Sequence, residues 1–239
     1  ICTGDFGKSY INDRYVLDDL LEKTPYTLQL AITAMVFAII GGIILGISSA
    51  LHYHTYWDKF AVIFSIGGVS APVFWIALLL ILFFGVELQI LPPSGYGGWQ
   101  FIILPGIALG MRSLALFSRI TRTNFLEIIQ EDYMTTAKAK GLPDYIVIFK
   151  HGLKNLLIPL ITIIGLDFGS YLTGAVLTES IFGWPGIGRM LLDAIMKRDF
   201  PVIQGTVLFM VLIFVIINIL VDVLYGIANP QIRETLLNE

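Results

Sequence analysis

Apolar residues along this chain gather in blocks instead of alternating with polar ones. Tyr26–Leu51 is 26 residues without a charge, Phe60–Val86 is 27, and Phe200–Val221 is 22. Two further blocks each carry one ionisable residue: Phe101–Ser118 holds Arg112, and Asn155–Thr178 holds Asp167. A helix crosses the hydrocarbon core of a bilayer with about 20 mainly apolar residues. A tilted barrel strand needs only about 10, with lipid-facing and lumen-facing residues alternating. The pattern therefore predicts an all-α, polytopic membrane protein with five visible spans, at about 26–51, 60–86, 101–122, 155–178 and 200–226. An even number of spans calls for one more helix upstream of Ile1, so residues 1–25 are expected to be an extracytoplasmic segment following it.

Composition agrees with the blocks. Apolar types make up 56% of the 239 residues and charged types only 14%, about half the share found in a soluble domain. The net charge of -3 supplies no basic field for nucleic acid. One cysteine, Cys2, permits neither an internal disulfide nor a thiolate metal site.

Loop charge sets the orientation. Residues 119–154 hold six of the fifteen Lys and Arg, while 87–100 hold none. The positive-inside rule therefore places 119–154 in the cytoplasm. Alternation then puts 52–59 and the tail 233–239 inside, and 1–25, 87–100 and 179–199 outside. Arg189, Lys197 and Arg198 run against this scheme. Three glycine pairs at a spacing of four, Gly42/Gly46, Gly106/Gly110 and Gly165/Gly169, predict close helix approach. Pro72 and Pro105 are expected to kink or start helices.

The long charged loop is patterned. Phe125–Lys140 reads as a helix with Phe125, Ile128, Ile129, Tyr133 and Ala137 near one face. Gly141 is a helix stop. Pro143 and Asp144 suit the first turn of a second helix. From the residues alone, this hairpin is either a docking surface for a partner or an amphipathic element on lipid.

Other features have modest weight. Asp167, Asn218 and Asp222 fall within or near spans, where polar groups turn to the bundle interior or to water. With Arg112 they are candidates for a translocation path, and inter-helix hydrogen bonding is the alternative. His52 and His54 lack further ligands for a metal. Ser70 has no histidine within the spans to act as its base, which disfavours an intramembrane enzyme. GWPGIG (183–188) reads as a rigid turn on the outer face.

The stretch EDYMTTAKAKGLPDYIVIFKHGLKNLLIP (131–159) resembles the cytoplasmic signature loop of permease subunits in binding-protein-dependent ABC importers, closest to the dipeptide, oligopeptide and nickel branch. Aligned on Gly141, Ala137 is the last alanine of the signature triplet, and Thr135 and Thr136 replace its first two letters. LLEKTPYTLQLA (20–31), ILPPSGYGG (90–98), TESIFGWPGIGRMLLDAIMKRDFPVIQG (178–205) and NILVDVLYGIANPQIR (218–233) resemble the same branch in order.

The resemblance implies a type I importer permease with six spans, lying in a prokaryotic inner membrane. It is expected to form half of the path for peptides, with nickel or another small solute as the alternative cargo. Expected partners are a second homologous permease, two ATP-binding subunits and an extracytoplasmic binding protein. No cofactor is expected in this chain. It has no Walker-type phosphate loop, so ATP and Mg belong to the partner subunits. By resemblance, the loop helix is the coupling helix. Ala137 and Gly141 would let the partner approach, Glu131, Lys140, Asp144 and Lys150 would make polar contacts, and Gly183, Trp184, Pro185 and Gly186 would lie where the receptor docks. A structural membrane subunit without an ATPase is the remaining rival.

Overall fold

A computed structural model describes residues 6–143 and 146–228. Among the described residues there are helices and no strands, apart from one isolated bridge between Lys8 and Tyr15. The helices are α1 (Val16–Leu51), α2 (Tyr56–Ser70), α3 (Val73–Leu80), α4 (Gln100–Gln130), α5 (Asp132–Ala139), α6 (Leu153–Phe182), α7 (Ile187–Lys197) and α8 (Phe200–Ala228). Two π-helical stretches, Ile81–Glu87 and Val147–Gly152, adjoin α3 and α6. By length and composition α1, α4 and Phe200–Val221 of α8 can each cross a membrane, and α2 with α3 adds a fourth span if the interrupted pair counts as one.

Element bounds depart from the apolar blocks in three places. The helix containing the first block begins ten residues before it, at Val16, after a small turn closed by the Val16 N–H on the Gly7 carbonyl (3.1 Å). The block 60–86 is not one helix. It stops at Ser70 and restarts at Val73, with Pro72 extended (φ -63°, ψ 137°). Proline has no N–H to continue the ladder and forces the residue before it out of helical geometry. The block 101–122 does not end at Arg122. Its helix runs to Gln130, because TNFLEIIQ contains no breaker and Phe125 is fully buried against Ile47, Ala50, Leu156 and Leu160.

The chain divides into two compact units. The first comprises Ile1–Phe37, Ala71–Met111 and Phe168–Ile219. One core cluster joins Val16 and Leu20 of α1 to Ile187 and Ala194 of α7 and to Val202 and Met210 of α8. A second joins Ile76 and Ala77 of α3 to Leu104 and Ala108 of α4 and to Phe182. Within this unit α4 lies on α1 through glycine: a Cβ at Gly110 would stand 2.5 Å from the Ala34 carbonyl, and one at Gly106 would stand 2.9 Å from the Thr33 methyl.

The second unit comprises Ala38–Ser70, Arg112–Asp167 and Leu220–Glu239. Here a Cβ at Gly46 would stand 2.5 Å from Thr121 Cβ and 2.6 Å from the Ser118 carbonyl, and one at Gly42 would stand 2.6 Å from Phe117 Cβ. Backbones this close gain dispersion contacts that larger residues would prevent, the usual basis of helix association in lipid.

Candidate functional site

The segment after α4 is built from capping chemistry. At Glu131 the helix breaks, and the Glu131 carbonyl accepts from Met134 N (3.0 Å) and Thr135 N (3.3 Å), so it starts α5. Asp132 stands in the first turn, where its carboxylate meets the positive dipole end. At the other end Gly141 takes a left-handed conformation (φ 75°). Leu142 N–H reaches back to the Ala137 carbonyl (3.4 Å), the six-to-one bond of a Schellman stop. The Pro143 carbonyl then accepts from Ile146 N (2.9 Å) and Val147 N (3.2 Å), opening the helical run that leads into α6.

This segment has an inner and an outer side. Met134, Ala137 and Val147 form a small buried cluster against Ile128. Gly152 sits beside it, and a Cβ there would stand 2.8 Å from the Phe125 ring. The break at Glu131 resets the helix phase, which corrects the expectation for Tyr133. Tyr133 is 37% exposed and does not continue the face of Phe125, and Ala137 is only 6% exposed and packs inward against Val147. Glu131, Lys140 and Gly141 are exposed, as are Asp132, Thr135 and Thr136. Asp144 and the side chains of Lys150 and Asp222 lie outside the described residues.

A few turns before the break, α4 is pinned to the first turn of α2. Arg122 Nε and Nη2 donate to Asp58 Oδ1 (2.6 Å) and Oδ2 (2.9 Å). Ser49 Oγ donates to the same carboxylate at 2.6 Å, and the His54 N–H does so at 3.1 Å. The guanidinium also lies over the Tyr53 ring, 5.3 Å from its centroid. Asp58 belongs to the polar stretch before the apolar run that starts at Phe60. The Arg122 fork, reinforced by Ser49 and His54, satisfies this buried carboxylate with hydrogen bonds on both oxygens.

In the first unit, residues 179–189 form a second constellation around a fully buried glutamate. Glu179 accepts from the Thr27 hydroxyl (2.7 Å) and from Arg189 N–H (3.0 Å), and Thr27 Oγ1 accepts in turn from Ile187 N–H (2.9 Å). The carboxylate thus caps the start of α7. Gly186 lies against it so closely that a Cβ would overlap the carboxylate. Gly183 turns the chain at φ 67°. Trp184 is 1% exposed, donates Nε1–H to the Tyr26 carbonyl (2.9 Å), and meets the Tyr96 ring edge-on at 5.1 Å. Of the four residues expected at a docking loop, Trp184 and Gly186 are therefore internal struts, while Gly183 and Pro185 are half-buried.

The candidate path residues are dispersed. Arg112 is exposed on α4, and Asp167 is half-buried on α6. Asn218 is half-buried on α8 and donates to its own helix at Phe214 O (2.8 Å). Among the described residues, no group of three or more His, Cys, Asp or Glu is placed to hold a metal ion.

Neither the Asp58–Arg122 pair nor the Glu179 cage was singled out from the sequence. The first joins residues 64 positions apart, with no local spacing to reveal it. For the second, the alternate glycines 186 and 188 after a lone glutamate were the available signal.

Comparison with known proteins places these features in a class. Residues 42–234 match the family of binding-protein-dependent transport system inner membrane components. The chain is 44% identical, over 230 residues, to the glutathione transport system permease protein GsiC of Escherichia coli K12, an alignment covering 96% of this chain and 75% of that one. The GsiC of Shigella dysenteriae serotype 1 matches at the same identity and coverage. Among solved structures, inward-facing MetNI methionine ABC transporter matches with a TM-score of 0.70 at 15% identity, over 88% of this chain and 96% of that one. An amino acid ABC transporter crystallised with histidines matches with a TM-score of 0.66 at 14% identity, over 87% and 94%. The chain belongs to the binding-protein-dependent transport system inner membrane components. It has the type I importer permease fold and is a permease subunit of an ABC importer.

Proposed function

We propose that this permease carries short peptides or peptide-like solutes. It forms half of the path with a second homologous permease, receives solute from an extracytoplasmic binding protein and is driven by two separate ATP-binding subunits. The observation that carries this reading is the 44% identity, across almost the whole chain, to a permease named for glutathione transport. Glutathione is itself a tripeptide-like solute.

In this reading the exposed side of α5 and its stop, with Glu131, Lys140 and Gly141, meets the ATP-binding subunit, and Asp144 and Lys150 contribute from the adjoining stretch. Met134, Ala137 and Val147 hold that surface to the body of the chain, so a push on α5 is delivered to α6. Gly183 and Pro185 belong to the face that meets the receptor. Arg112, Asp167, Asn218 and Asp222 are polar groups for the path, too few for tight recognition.

The test is purification and reconstitution of the complete importer. Peptide uptake and receptor-stimulated ATP hydrolysis are expected from the assembled complex. Gly141→Asn, which accepts a left-handed backbone, should retain both, and Gly141→Arg should assemble poorly or hydrolyse ATP without uptake. If no ATPase accompanies the permease, or if Gly141→Arg imports normally, the assignment fails.

A further inference from the structure

The first unit contains a cleft of about 400 Å³ between the N-terminal turn, the start of α1 and the length of α7. Pro185 and Gly186 of the turn before α7 line part of it, and its remaining residues have no coupling or docking role. Its size falls within the range of small-molecule sites, roughly 300–1,000 Å³.

The charges lining it have both signs, and most are already engaged. Asp19 pairs with Arg14 at 3.0 Å. Asp199 accepts from the Ser9 hydroxyl and from Tyr10 N–H (3.1 Å). Arg189 donates to the Gly183 carbonyl at 2.6 Å. Two lining residues differ. Asp193 and Lys197 are exposed, and their side chains make no hydrogen bond or ion pair among the described residues.

These two are four residues apart on α7, so they lie on one helix face, separated by roughly 6 Å along the axis. A carboxylate and an ammonium at that spacing complement a ligand with an ammonium and a carboxylate about as far apart. An extended chain spans about 3.5 Å per residue. A dipeptide fits that separation and a tripeptide reaches it when bent, whereas a single amino acid is too short to engage both groups. Met190 and Val202 add apolar lining for side chains.

We propose that this cleft is a receiving site for a zwitterionic di- or tripeptide, its ammonium on Asp193 and its carboxylate on Lys197. The inference rests on the peptide-carrying reading above and adds a binding site to it.

The probe is radiolabelled dialanine, measured by equilibrium binding to the complete importer in lipid nanodiscs without its receptor. Saturable binding is expected, weakened at least tenfold by Asp193→Asn and by Lys197→Gln. N-acetyl-dialanine amide should not compete, and free alanine should compete at least tenfold less well than unlabelled dialanine. The double exchange D193K/K197D should recover much of the lost affinity, which separates charge recognition from damage to α7. Absence of saturable binding, or binding unchanged in both single variants, overturns the cleft. Receptor-dependent dialanine uptake, followed in parallel, reports on the function separately: uptake without cleft binding overturns only the cleft, and cleft binding without uptake overturns only the peptide-import reading.

Discussion

Arg122 holds Asp58 through two nitrogens, at 2.6 and 2.9 Å, and this fork fixes α4 shortly before the chain breaks into α5. Asp58 is 4% exposed, so removing its partner leaves a nearly buried carboxylate with only Ser49 and a backbone N–H for company. Arg122→Gln should cost about 3 kcal/mol, at the lower end for broken buried pairs because the guanidinium retains some solvent access. Arg122→Lys should recover only part of this, since an ammonium cannot make the fork. Thermal unfolding of the detergent-solubilised protein, followed by circular dichroism, checks the order wild type, Lys, Gln.

The cage around Glu179 makes a different demand. Glu179→Ala removes the acceptor from the Thr27 hydroxyl and Arg189 N–H together, and an unsatisfied buried group costs about 1–3 kcal/mol. Gly186→Ala should be damaging in another way, since its methyl would occupy the carboxylate's place. The double variant Glu179→Ala with Gly186→Ala should lose less stability than the sum of the two singles. Strict additivity in the unfolding midpoints would contradict the contact.

Size matters at the glycine seams independently of charge. Gly46→Leu and Gly110→Leu should each destabilise by about 1–3 kcal/mol, the usual cost of overpacking. Gly98→Ala is the control, because a Cβ there meets nothing within 4 Å. Resistance to proteolysis in native membranes should fall for the first two and hold for the third.

Gly152 tests how α5 is supported. Gly152→Val would press on Phe125 and approach Met134, which lies on the buried side of α5. Reconstituted importer should then hydrolyse ATP with less uptake per ATP, while Gly152→Ala, one methyl against a movable ring edge, should lie between. Equal uptake-to-hydrolysis ratios in all three proteins would rule out this support.

How much of this was legible depended on range. The apolar blocks announced helices because a bilayer imposes length on any span, and Gly141 announced a stop because few other residues adopt φ 75° without strain. The phase change at Glu131 was not legible. TNFLEIIQEDYMTTAKA has helix-forming residues throughout, so Tyr133 appeared to share a face with Phe125, and only tertiary burial of Met134 and Ala137 reveals the reset. Trp184 illustrates the same limit. GWPGIG reads as a rigid turn on the outer face, whereas the Trp184 indole N–H is directed inward to the Tyr26 carbonyl, 158 positions away. Long-range partners such as Asp58 and Arg122 leave no trace in local spacing.

The Gly46 contact also bears on how such a chain can change over generations. The absent side chain is matched by a threonine of fixed bulk, with Thr121 Cβ 2.5 Å and the Ser118 carbonyl 2.6 Å from where a Cβ would stand. A larger residue at 46 becomes tolerable only if 121 shrinks, and the carbonyl at 118 cannot shrink at all. The two helices are therefore not free to drift separately: position 46 stays at glycine, or both helices shift together.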